Sequence, residues 1–105
     1  MAGIDPKKLE ELRAQHGADV VVLEAAGQVV ALRRPSRAAY SRFRQLLLDD
    51  SRKHTANEAL LSDCIIWPAA AAEREAVFDA APALIDTFAG EAARMAGAGA
   101  EAKKL

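Results

Sequence analysis

The sequence is poor in most of the things that would narrow its chemistry. Cys64 is the only cysteine among 105 residues, so no intramolecular disulfide can form and a reducing compartment is expected. Aromatic residues are limited to Trp67, Tyr40, Phe43, Phe78 and Phe88, so any core must rely on few large side chains. No stretch approaches the ~18 consecutive apolar residues of a membrane-spanning helix. The opening residues, Met1 to Pro6, have no apolar h-region of a secretory signal. A soluble, cytoplasmic protein without membrane contact is therefore expected. Excess charge is missing as well: the net value is −1, so no global field draws the chain to nucleic acid or an anionic membrane.

The inventory for catalysis is equally thin. His16 and His54 are far apart, and neither has metal-ligand spacing to a Cys, Asp or Glu. There is no glycine-rich phosphate loop and no nucleophile–base pair. Asp49/Asp50 lie in a linker and Glu73/Glu75 on a polar helix, where solvated charge is the default reading. Cys64 lies on an apolar stripe without a second Cys or a His beside it, as a core residue would. These absences predict a protein that is not an enzyme and needs no cofactor or metal.

What the sequence does have is alanine. Hydrophobic residues make up 51% of the chain, but alanine fills much of that class, and it favours helix while adding little burial per residue. The length suits one domain. The expected class is α+β and mostly α-helical, with an N-terminal short helix and a β-hairpin packed against about four helices. Residues 1–97 form that single domain, and 98–105 are a small, polar, frayed tail.

Local signals place the elements. Asp5-Pro6 reads as an N-cap and first helical residue, Leu9, Leu12 and His16 follow on one face, and Gly17 stops the helix. Residues 18–24 and 28–34 are rich in β-branched side chains, and Gly27 can take the positive φ of a tight hairpin turn. Both outer edges of this hairpin would be open, a route to oligomerisation or strand addition, with an edge protected by a loop the equal alternative. Thr55 to Glu58 fits a capping box. The helix it opens runs through Leu60, Leu61, Cys64 and Trp67 to Pro68, and Ile66 points nearly opposite that stripe. Val77 and Phe78 are the buried residues of a short alanine-rich helix. Pro82 opens a last helix carrying Leu84, Ile85, Phe88, Ala92 and Met95, which Gly97 ends. Gly90 within it suggests a close approach of another helix.

The segment 33–50 stands out. Residues 1–32 carry a net −2, residues 33–53 a net +5, and residues 54–105 a net −4. Pro35 ends the second strand and Ser36 caps a helix. Ala39, Tyr40, Phe43, Leu46 and Leu47 fall on its apolar stripe, with Arg37, Ser41, Arg44, Gln45 and Asp49 opposite. Leu48 is out of place, because it falls on the polar face near Arg37, Ser41 and Arg44. An exposed leucine ringed by arginines has the makings of a partner-binding patch, so Arg37, Arg44 and Leu48 are candidate partner contacts, with Ile66 a fourth. The same arginines, with Arg33, Arg34, Arg42, Arg52 and Lys53, could contact phosphates. No second helix-turn-helix element accompanies them, however, and Arg42 points away from Arg37 and Arg44. Pairing of these arginines with the acidic C-terminal half is the simpler expectation.

Three stretches together carry a family resemblance. They are Leu32-Arg33-Arg34-Pro35-Ser36-Arg37-Ala38-Ala39-Tyr40-Ser41-Arg42-Phe43-Arg44, Leu60-Leu61-Ser62-Asp63-Cys64-Ile65-Ile66-Trp67-Pro68, and Ala81-Pro82-Ala83-Leu84 leading through Phe88-Ala89-Gly90 to Ala96-Gly97. In order and spacing they resemble the tail assembly chaperones of tailed bacteriophages and their prophage relatives, over residues 20–97. That resemblance implies a non-catalytic protein in the bacterial host cytoplasm. It would bind the aggregation-prone tape measure protein and the tail tube protein during tail morphogenesis, with homo-oligomerisation possible. The family supplies no catalytic residues to carry over. The alternative class is a small nucleic-acid-binding regulator that uses the Arg-rich helix 36–50.

Overall fold

A computed structural model describes residues 3–105 of the chain; Met1 and Ala2, part of the expected domain, lie outside the described residues. The architecture is α+β and mostly helical, as the composition implies. It comprises α1 (Pro6–His16), β1 (Val21–Ala25), β2 (Gln28–Leu32), α2 (Arg37–Leu48), α3 (Ala56–Cys64), β3 (Ile65–Trp67), α4 (Ala71–Ala80) and α5 (Leu84–Met95). A short 3-10 helix over Lys53–Thr55 leads into α3. None of the helices is long and apolar enough to cross a membrane.

The caps form where short-range chemistry demands them. The Asp5 carboxylate accepts from the Lys7 N–H at 2.8 Å, with Pro6 in the first turn of α1, where its missing N–H costs nothing. Ser36 Oγ accepts from the Ala39 N–H at 3.1 Å and starts α2. Past α5, Gly97 takes φ 101°. Its N–H donates to the Arg94 carbonyl, and the Ala98 N–H donates to the Ala93 carbonyl. This pair of bonds closes the helix as a Schellman motif. Residues 98–105 are exposed and contain no helix or strand.

β1 and β2 form the expected antiparallel hairpin, with Ala25 opposite Gln28. Ala26 and Gly27 make the turn, both at positive φ (51° and 74°), as a two-residue turn matched to strand twist requires.

The hairpin does not stand alone, which corrects the expectation of two open edges. α3 ends at Cys64, and Ile65–Trp67 turns extended and pairs antiparallel with β2. The sheet order is β1-β2-β3, so β2 is central and its residues Val29, Val30, Ala31 and Leu32 are all buried. The expected helix through Trp67 is therefore wrong. Its last three residues are exchanged for a strand because β2 presents an unpaired edge whose backbone groups must be satisfied.

Two further expectations fail. Thr55 caps nothing: it already lies in the 3-10 helix, and its hydroxyl donates to the Arg52 carbonyl at 2.7 Å. Gly90 is exposed with open space around it, so no helix approaches there.

The two faces of the sheet are covered differently. Val30 and Leu32 pack with Leu60, Leu61, Cys64, Val77, Leu84, Phe88 and Ala92 in the main core, which α2 borders through Tyr40 and Phe43. Ala31 belongs to a second, smaller cluster with Leu12 of α1 and Val20. Cys64 is wholly buried in the main core. Burial, followed by the nearby Asp63 carboxylate, pushes its thiol up to about 11, which leaves it protonated and inert.

Candidate functional site: the outer face of α2

α2 is anchored on one side only. Ala39 and Leu46 are buried, and Tyr40 and Phe43 pack half-buried against the core with ring centroids 5.5 Å apart and tilted by 49°. The opposite face holds Arg37, Ser41, Arg44 and Leu48 at i, i+4, i+7 and i+11, all exposed. Leu48 is 83% exposed, and Leu47, expected on the buried stripe, is 47% exposed. Two adjacent leucines in the last turn of α2 therefore face solvent one turn from Arg44, with Arg37 at the far end of the same helix.

The chain directly after α2 holds that last turn in place. The Asp49 carboxylate accepts from the Ser51 hydroxyl at 2.7 Å and from the Ser51 N–H at 3.0 Å. These bonds, the hydroxyl bond first, hold the Asp49 carboxyl below its usual range. The Asp49 carbonyl in turn accepts from the N–H groups of Arg52 and Lys53. Such a self-bonded aspartate ends a helix sharply, leaving Leu48 in the final turn with nothing folded over it.

The basic residues divide into two groups. Arg33 donates through Nε and Nη2 to the Asp63 carbonyl at 3.0 and 2.8 Å, tying the end of β2 to the α3–β3 junction. Arg34 pairs with Asp19 at 3.4 Å. Among the described residues, Arg37, Arg42 and Arg44 have neither an ion-pair partner nor a side-chain hydrogen bond. Pairing with the acidic C-terminal half is thus corrected. Among the described residues only Arg33 reaches that half, and it does so through a carbonyl rather than a carboxylate.

Ile66 is not part of this surface. It lies on β3, half-buried with Trp67 against the Leu12–Val20–Ala31 cluster. The helical wheel that set it apart does not apply to a strand.

A second surface was not legible in the sequence. Between α3, α4 and α5 runs a groove of about 540 Å³. Leu61, Ile65, Phe78 and Ile85 line its apolar part, and Glu58, Glu75 and Asp79 stand at its edge. Arg74 also lines it, with Nε donating to the Pro68 carbonyl. Three helices contribute, so no single periodicity could reveal it. The one available signal was Glu75 and Asp79, spaced i, i+4 beside Phe78. Among the described residues, no group of three His, Cys, Asp or Glu side chains is placed to hold a metal ion.

The fold thus defines a small α+β protein whose three-stranded antiparallel sheet is flanked by helices, with two exposed surfaces of mixed character. No protein-family model matches the chain, and no curated protein matches it. Among solved structures it is similar to an uncharacterised protein from Bacillus stearothermophilus. The TM-score is 0.71 at 26% identity, over 92% of this chain and 99% of that one. The likeness supports the whole architecture and names no activity.

Proposed function

We propose that this chain is a non-catalytic binding protein of the phage tail assembly chaperone kind, working in the host cytoplasm on the tape measure protein and the tail tube protein. The observation that carries the reading is the outer face of α2, where Leu47 and Leu48 are exposed one turn from Arg44, with Arg37 at the other end of the helix, both arginines without an ion-pair partner among the described residues. A rigid helix offering apolar contact flanked by cations suits a partner that is itself an amphipathic helix with acidic flanks. Holding such helices shields their apolar faces, as a chaperone of a long, aggregation-prone protein must. The order and spacing of the Arg-Pro-Ser turn, the Leu60–Pro68 segment and the stretch 81–97 support the assignment by resemblance.

Co-expression with the tape measure and tail tube genes of the same cluster, followed by pull-down, tests the proposal. The wild-type chain should recover soluble tape measure protein, and R44E/L48D should recover much less while keeping its own fold. Equal recovery by both proteins would remove the α2 face from the proposal. No recovery by the wild type would remove the function.

A second reading, a nucleic-acid-binding regulator, draws on the same unpaired Arg37, Arg42 and Arg44. It requires binding to unrelated duplex DNA that weakens steeply with salt. Absence of such binding at low salt rules it out.

A further inference from the structure

The groove between α3, α4 and α5 has the opposite character to the α2 face. Leu61 and Ile65 come from the end of α3 and the start of β3, Phe78 from α4 and Ile85 from α5. Leu61 and Ile65 are buried core residues at its floor, and the half-buried Phe78 and Ile85 supply its accessible apolar surface. Glu58, Glu75 and Asp79 edge it, all three exposed. The single cation there, Arg74, is held by the Pro68 carbonyl. The carboxylates exceed the cations by two, and none of the three has an ion-pair partner among the described residues.

We propose that this groove is a docking site for a cationic amphipathic helix of a partner protein. Apolar side chains at i, i+3, i+4 and i+7 of that helix enter between α3, α4 and α5, and its lysines or arginines meet Glu58, Glu75 and Asp79. A groove volume of about 540 Å³ lies within the range of sites that enclose several apolar side chains. Covering the half-buried Phe78 and Ile85 favours binding modestly, and the acid edge selects the sign of the ligand. An acidic helix or a nucleic acid is repelled by the same three carboxylates. The groove is separate from Arg37, Arg44 and Leu48, so this proposal does not rest on the function assigned to α2.

The test uses the full chain and two helical peptides of about 14 residues, some four turns. Both peptides carry leucines at i, i+3, i+4 and i+7; one has lysines at its polar positions and the other glutamates. The lysine peptide should bind in the micromolar range and the glutamate peptide about tenfold or more weaker, the gap narrowing as salt screens the edge. Methyl NMR shifts should report at Leu61, Ile65 and Ile85. E75K/D79K, which changes only exposed side chains, should weaken the lysine peptide about tenfold, whereas R44E/L48D should leave it unchanged.

Equal binding of both peptides, no binding, or shifts confined to α2 would overturn the proposal. So would concentration-dependent self-association of the wild type that E75K/D79K abolishes, because the occupant would then be a second copy of this chain. If E75K/D79K fails to fold, the contrast between peptides and the methyl map on the wild type still decide.

Discussion

The two faces of the sheet show how unevenly a small domain can spend its apolar residues. On one face, Val30 and Leu32 meet residues from α3, α4 and α5, and Phe88, Leu60 and Cys64 are essentially inaccessible. On the other, the buried set is Leu12, Val20 and Ala31, and Ile4, Leu9, Val22, Ile66 and Trp67 pack around it only half-covered. The difference follows from what covers each face. Several elements close the first, whereas α1, an 11-residue helix with one buried side chain, closes the second. Stability should therefore reside on the first face, and local opening should begin on the second.

The largest test strikes the thick face. Phe88→Ala removes the largest fully buried side chain and should cost about 3–5 kcal/mol, read as a lower denaturant midpoint or outright loss of cooperative unfolding. An equal loss from any thin-face truncation would break the comparison.

A pH titration strikes the same face through charge. The Cys64 thiol is raised in the fold to about 11, so between its ordinary value and about 11 the unfolded chain loses this proton while the native chain keeps it. Stability is therefore full below the ordinary thiol range and falls as pH rises towards 11, by on the order of 2 kcal/mol. Denaturation series at stepped pH should show this fall, and C64A should lack it.

On the thin face, Leu12→Ala should cost about 2 kcal/mol, the low end for such truncations, because half-covered neighbours can collapse into the space. Hydrogen exchange should speed up in α1 and β1 well before α3 and α5. Uniform acceleration across the chain would show the two faces to be one cooperative unit.

The smallest effect sharpens the same point. Asp5→Ala removes the cap of α1 and should cost about 1 kcal/mol. Most of it should appear as faster exchange in α1 with little change in the global midpoint. A full shift of the midpoint would mean that α1 is as tightly coupled as the core helices.

Much of this arrangement can be read from residues near one another in the chain. Asp5-Pro6, Gly27, Ser36 and Gly97 each mark an element boundary through a short-range requirement: a cap, a positive φ or a missing N–H. The stripe of α2 was legible for the same reason, as was the misplacement of Leu48. Thr55 was misread because the capping-box pattern is satisfied by type and spacing alone, and the 3-10 helix before α3 uses its hydroxyl first. Leu47 was misplaced because the wheel assigns a face but cannot say where the core ends along it. The unpaired state of Arg37 and Arg44 was not legible either, since charge balance along a chain says nothing of which groups meet.

By itself, then, the sequence determined the class, the starts and stops of most elements, and a basic helix with an exposed leucine. Only the tertiary structure decided that Ile65–Trp67 is a strand, because its partner Ala31–Leu32 lies more than thirty residues back and no local preference reports an empty sheet edge. It alone made Ile66 a packing residue and assembled the acid-edged groove from three helices. The physical reason is common to all three. Caps and helical stripes depend on neighbours a few residues away, whereas edges and grooves exist only once distant segments have been brought together.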